Sequence, residues 1–236
     1  MYPVAILCGG LGTRMHPVTE TVPKALIPVN DEPFVAHQLR LLAQSGFERA
    51  VLCVGHMGDM IEAFVGDGTR FGLRAGYSYD GDTRLGTAGA LRKALPQLGE
   101  HFFVVYGDSY TACDYRAVQA AFERDDATAL MTVFHNRGAL EPSNVVFANG
   151  RVERYEKGAT DPEFEYIDYG VSIFSAEAFA TLPDGVSVDL AGVVASLIEQ
   201  RKLAGYEIAS RFYEIGSPTG LAETEALLGR PSTSSG

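Results

Sequence analysis

Chemistry enters this chain at Leu7-Cys8-Gly9-Gly10-Leu11-Gly12-Thr13-Arg14, with Pro23-Lys24 following ten residues after Arg14. Gly9, Gly10 and Gly12 carry no Cβ, so their backbone N–H groups are uncovered and free to bend toward an anion. Arg14 offers a planar fork for phosphate oxygens, and Lys24 a compact point charge. Two better-known phosphate loops do not fit. A dinucleotide fingerprint needs Gly or Ala three residues after its second glycine, and after Gly12 that position is Met15. A Walker A loop needs Gly-Lys, a pair found nowhere in the chain. Taken by itself, Gly9-Gly10-Leu11-Gly12 is equally compatible with an ordinary strand-to-loop turn; Arg14 and Lys24 tip the reading toward phosphate.

Three further groups have suitable residue types. Phe102–Tyr106 is an apolar run that ends in Gly107-Asp108. A carboxylate just past a buried parallel strand lies where such sheets bind ligands, and Mg²⁺ favours one or two carboxylates plus phosphate oxygens. Asp108 is the candidate ligand, with Glu214 in Phe212-Tyr213-Glu214 as a weaker second; a helix cap and an exposed strand Glu are the plainer readings. Arg154-Tyr155-Glu156-Lys157 can send Lys157 to a phosphate and Glu156 to a hydroxyl, or it is a solvated charged pair. Leu85-Gly86-Thr87-Ala88-Gly89 opens a helix with small residues, admitting either a flat ligand or tight packing. His16, His37, His56, His101 and His135 have no metal-ligand spacing and no adjacent nucleophile, so none receives a role.

The elements that must position these groups can be read from periodicity. Strand-like runs cover 3–8, 50–54, 73–79, 102–106 and 127–134, then 144–148, 152–155, 167–174, 206–209 and 211–215. Helical stretches cover 34–45, 88–95, 115–123 and 190–200. Gly46 closes the first, and Asp189 is a possible cap of the last. Strand and helix alternate in the first half, which predicts a doubly wound, mostly parallel α/β sheet. The second half is richer in strand, with Asn149-Gly150 as a hairpin turn, and reads as an inserted β-rich lobe on the same sheet. The small, polar stretch 229–236 reads as a disordered tail or a cloning scar.

Composition bounds the rest. The 236 residues suit one large domain or at most two, and 46% hydrophobic with 21% charged residues is ordinary for a globular core. Cys8, Cys53 and Cys113 are far apart, and the first two lie in apolar runs, so buried thiols in a reducing cytoplasm are expected. No signal peptide is expected, nor any apolar run near the ~20 residues of a membrane span. A net charge of −11 argues against general nucleic-acid binding, so cations for an anionic substrate must be concentrated at one site.

Cys8 to Arg14, Pro17-Val18-Thr19 and Pro23 to Val29, then Leu85 to Gly89, Gly107-Asp108, Glu156-Lys157, Tyr169-Gly170 and Glu214 to Gly216, resemble in content and order the motifs of the sugar-1-phosphate nucleotidylyltransferases of the short, single-domain type. The resemblance spans about 3–228. It implies a Rossmann-like nucleotide-diphospho-sugar transferase fold over 1–228, with a nucleotide part to about 126 and a sugar part from about 127. It implies an enzyme that joins a nucleoside triphosphate to a sugar 1-phosphate with Mg²⁺, releasing pyrophosphate. Leu7, Gly9, Gly10, Gly12, Thr13, Gly86 and Thr87 would bind the nucleotide, Arg14 the leaving pyrophosphate, and Lys24 the α-phosphate. Asp108 and Glu214 would hold the metal. Asn144, Glu156, Lys157, Tyr169 and Gly170 would bind the sugar phosphate.

Two departures stand out: Glu214 where an Asp is common, and Asp168 before Tyr169-Gly170 where many members carry an amide. The resemblance ranks GTP with a manno-heptose or mannose 1-phosphate first. Next comes UTP with an amino sugar or glucose 1-phosphate, followed by dTTP or CTP. It leaves room for a homodimer. A non-catalytic NDP-sugar-binding paralogue is the alternative of another class; such proteins usually lose Arg14-like or Lys24-like residues, and both are present here.

Overall fold

A computed structural model of the chain describes residues 1–138, 140 and 142–229; except for Gly229, the expected tail lies outside the described residues. Thirteen strands are present among the described residues: β1 (Val4–Leu7), β2 (Pro28–Val29), β3 (Glu32–Pro33), β4 (Arg49–Val54), β5 (Arg74–Tyr79), β6 (His101–Tyr106), β7 (Ser109–Tyr110), β8 (Ala129–His135), β9 (Val145–Ala148), β10 (Arg151–Tyr155), β11 (Tyr166–Ser175), β12 (Leu203–Glu207) and β13 (Tyr213–Glu214). The α-helices are α1 (Phe34–Gln44), α2 (Gly58–Val65), α3 (Gly86–Leu98), α4 (Tyr115–Glu123), α5 (Leu190–Glu199) and α6 (Pro218–Leu228).

Nine strands form one sheet in the order β5-β4-β1-β6-β11-β8-β12-β10-β9. The first four are mutually parallel, and only β11 and β10 run against the rest. The chain leaves β1 for β4 on one side and later returns to β6 on the other. The carboxyl ends of β1 and β6 therefore flank the point where strand order reverses, the usual ligand crevice of such sheets. Both β1, continuing into Gly9, and β6, continuing into Asp108, end there.

Strand alternation assigns the core. Val4 and Ile6 join one layer with Val35, Leu39 and Leu42 of α1, Ile61 of α2 and Val118 of α4. Ala5 faces the other layer, with Leu91 of α3 and Val193 and Leu197 of α5. Helices on both faces explain why the parallel strands read as continuous apolar runs. Cys8 and Cys53 are buried free thiols, as their apolar surroundings predicted.

Local signals place the turns. Asp189 caps α5 by accepting the Ala191 N–H at 2.8 Å, and Gly46 follows α1 at φ +98°. Asn149 and Gly150 join β9 to β10 with φ of +52° and +75°, the pair a two-residue primed turn requires. Gly150→Ala is expected to cost about 1 kcal/mol, or roughly 2–4 °C in a thermal melt. An unchanged melting temperature would contradict that turn geometry.

Three readings are corrected. The strand expected at 206–209 starts earlier, at Leu203, because Leu203 and Ala204 are buried and pair with Ala129 and Leu130 of β8. The strand expected at 211–215 contracts to Tyr213–Glu214, whose partner is the two-residue β7. Helices α2 and α6 were not anticipated; α6 closes a small separate cluster of Met15, Ile27, Val29, Phe34 and Ile215.

Candidate active site

Two cavities open at the reversal point, and Tyr106 and Asp108 line both. The first, of about 650 Å³, is walled by Leu7 to Gly10, by Gly86 and Thr87 at the start of α3, and by Asp80 and Arg84. The second, of about 560 Å³, is walled by Arg14, Asn144, Tyr155, Lys157, Asp168 and Gly170, with Glu214 and the start of α6. Among the described residues no histidine lines either one.

At the junction, Lys24 Nζ lies 2.5 Å from Asp108 Oδ2, although the two residues are 84 apart in sequence. Packing holds both ends. Gly107 donates its N–H to Leu7 O at 3.0 Å, and a Cβ there would lie 2.6 Å from Cys8 Sγ, so only glycine lets the β1 and β6 ends meet. From α1, buried Gln38 donates its amide to Tyr106 O at 2.7 Å and Ser109 O at 2.9 Å, clamping the loop that carries Asp108. A Cβ on Gly216 would lie 2.7 Å from Lys24 Nζ and 3.3 Å from Arg14 Nη2. The two cations thus converge on the turn before α6.

The glycine loop divides between these spaces. Leu7, Gly9 and Gly10 line the first cavity, and nothing lies within 4 Å of a Cβ built on Gly10, so its backbone is open. Arg14 lines the second. Gly12 and Thr13 are outside both linings; Gly12, at φ +62°, packs on Thr19 and starts the turn that carries Arg14. At α3 the tight-packing reading holds alongside the ligand reading. Gly86 and Gly89 make room for the backbone of Val186 and Val188, and Thr87 Oγ1 accepts the Leu190 N–H at 2.7 Å. Gly86 and Thr87 nonetheless face the first cavity.

Among the sugar-side residues, Asn144, Lys157, Tyr169 and Gly170 line the second cavity, whereas Glu156 is exposed outside its lining. Lys157 Nζ sits 3.2 Å from Asp189 Oδ1. The Tyr169 ring is buried edge-on against Phe212, its hydroxyl 3.4 Å from Ala112 O. Glu214 accepts the Gly216 N–H on one oxygen and the Ser217 hydroxyl on the other at 2.8 Å. Its carboxylate thereby organises the N-terminus of α6, where negative charge is favourable.

Tyr106, Asp80 and Asp168 are among the lining residues that had no role in the sequence reading. Tyr106 precedes Gly107. Asp80 follows β5 as Asp108 follows β6, so the same strand-end signal applied to β5 would have found it. Burial raises its carboxyl pKa, against the opposing pull of the Leu85 N–H, Lys93 and Arg84. Asp168, noted only as a departure, is on the second cavity wall.

The family model for nucleotidyl transferases matches residues 4–228. The chain is 31% identical over 228 residues to an N-acetylmuramate alpha-1-phosphate uridylyltransferase of Neisseria meningitidis, covering 95% of this chain and 97% of that one. It is 32% identical over 203 residues to a UTP–glucose-1-phosphate uridylyltransferase of Synechocystis. That match covers 79% of this chain but only 52% of the longer relative, so the chain spans about half of that protein. Among solved structures, HddC from Yersinia pseudotuberculosis complexed with GMP-PN superposes with a TM-score of 0.78 at 22% identity, covering 97% of this chain and all of that one.

Proposed function

The chain belongs to the nucleotidyl transferase family, and on that premise we propose that it transfers a nucleotidyl group from a nucleoside triphosphate to a sugar 1-phosphate, releasing pyrophosphate. The observation that carries this reading is the pair of cavities sharing Asp108, with Lys24 against it and Arg14 nearby. Two anionic substrates can then meet at one cationic point inside a chain of net charge −11.

The sugar phosphate is itself an anionic nucleophile, so no general base is needed, in keeping with linings free of histidine. Its oxygen bonds to the α-phosphorus as the bond to the β-phosphate oxygen breaks, and pyrophosphate carries away the electron pair. What the protein supplies is alignment and charge. The backbone of Gly9 and Gly10 receives the triphosphate, Lys24 neutralises the α-phosphate, and Arg14 steadies the departing pyrophosphate. Lys157 exchanges Asp189 for the sugar phosphate.

Asp108 provides one carboxylate at the junction, and among the described residues no cluster of three or more His, Cys, Asp or Glu could cage a metal. The proposed ion is Mg²⁺, which keeps waters and accepts phosphate oxygens beside one or two carboxylates. Bound there, the ion would neutralise charge on the triphosphate; Glu214 remains the proposed second ligand on resemblance alone.

For the base we favour guanine. Asp80 brings an acceptor-only carboxylate to the first cavity, matching the two adjacent donors of guanine better than the single N–H of uracil. The sugar paired with it is mannose or a manno-heptose 1-phosphate. UTP is the second reading, favoured because both relatives above are uridylyltransferases by name. Incubating the protein with Mg²⁺, each of the four triphosphates and a panel of sugar 1-phosphates should release pyrophosphate with one pair far above the others, GTP leading. No release with any pair would overturn the enzymatic reading in favour of a binding paralogue.

A further inference from the structure

The second cavity contains a carboxylate that none of these roles uses. Pairing of β11 with β8 is irregular between Asp168 and Ser172, and Gly170 within that stretch has φ +89°. Asp168 lines the cavity there. Its Oδ1 accepts the Gly170 N–H at 2.9 Å, and its own N–H donates to Asn144 Oδ1 at 2.9 Å. Among the described residues its Oδ2 has no hydrogen-bond partner, and that atom is not sealed in the core.

The groups around it leave this oxygen for a ligand. Tyr106 and Tyr155 line the same cavity; burial raises the pKa of each phenol, and the Asp168 charge is the next largest cause of the rise. The cations of this cavity have other carboxylate partners: Lys157 pairs with Asp189, and Arg211 with Glu223 at 2.6 Å. Arg14 converges with Lys24 beside Gly216. Burial pushes the Asp168 carboxyl up to about 6, against the pull of the Gly170 N–H and of Lys157. Near neutral pH it is still mostly ionised, at a cost to the fold, which points to the ligand as the beneficiary of the charge.

An ionised carboxylate accepts hydrogen bonds but cannot donate, and in a desolvated wall it repels another anion strongly. We propose that Asp168 is the specificity-determining residue of the second cavity, accepting hydrogen bonds from the neutral hydroxyl or acylamino donors of a sugar 1-phosphate and rejecting sugars that bear a carboxylate. This rests on the second cavity being the sugar cavity. On this reading the chain would not take the acid named for its Neisseria relative, N-acetylmuramate 1-phosphate.

Calorimetric titration tests it without relying on turnover. The probes are mannose and glucose 1-phosphates against glucuronate and N-acetylmuramate 1-phosphates, with wild type and Asp168→Asn. Wild type is expected to bind a neutral probe at least about tenfold more tightly than either acid. Asp168→Asn, which keeps an acceptor for the Gly170 N–H, should weaken the neutral probe about tenfold and bring neutral and acidic probes within about threefold of each other. Its GTP affinity should stay unchanged and its melting temperature should rise; a purely structural residue would lower it. Equal binding of acids by wild type, no binding of any probe, undiminished discrimination in Asp168→Asn, or a lower melting temperature would each overturn the proposal. If the titrations behave as expected but no triphosphate yields pyrophosphate, the reaction reading fails while the role of Asp168 stands.

Discussion

Asp108→Asn is expected to lower Mg²⁺-dependent pyrophosphate release by about 10³-fold while moving the melting temperature by no more than a few degrees. Asp108 is the carboxylate common to both cavities, and it has two partners to serve, Lys24 and the proposed ion. An amide of the same shape can still accept from Lys24 Nζ, and the backbone bond from Ile215 N to Asp108 O at 2.9 Å does not involve the side chain. Water reaches both members of the ion pair, whose side chains are 14% and 28% exposed, so its loss costs little stability. Charge is different: a neutral group cannot anchor a divalent cation against a triphosphate. Initial rates across a Mg²⁺ series, beside a thermal melt, separate the two effects. Full activity in the variant would remove Asp108 from the site.

Lys24→Ala should cost about 10²–10³-fold, mostly in kcat. Its ammonium is at the junction, 2.5 Å from Asp108 and close to Gly216, on the wall of the first cavity. A cation in that position acts on charge that develops at the α-phosphate during transfer, so its loss raises the barrier more than it weakens ground-state binding. The KM for the triphosphate should change only a few-fold. An effect confined to triphosphate affinity would contradict the assignment. Because Lys24 and Asp108 touch, the double variant should lose less than the product of the single losses.

Much of the framework was legible because it is written locally. Apolar runs bounded by glycine marked β1, β4 and β6, and Asp189 and Asn149-Gly150 carried their own capping and turn chemistry. The places that escaped lacked such a signal. Strands β7 and β13 are two residues each and exist because they pair with each other. The start of β12 is set by its register on β8. Gln38, a polar residue on the buried face of α1, gains its meaning only from two carbonyls about 70 residues away.

The sequence by itself determined the kind of chemistry: a glycine loop with two cations after a buried strand, and a carboxylate after another. These follow from residue type and short spacing. The tertiary structure decided which charges share a space. It set Lys24 against Asp108, gave Arg14 to the second cavity and left Gly12 and Thr13 outside both cavities, tied Lys157 to Asp189, committed Glu214 to the start of α6, and placed Asp168 on the wall of the second cavity. Such pairings depend on sheet order and strand register, which bring together residues dozens of positions apart. No local pattern encodes them, because the free energy that selects them comes from burying the whole core at once.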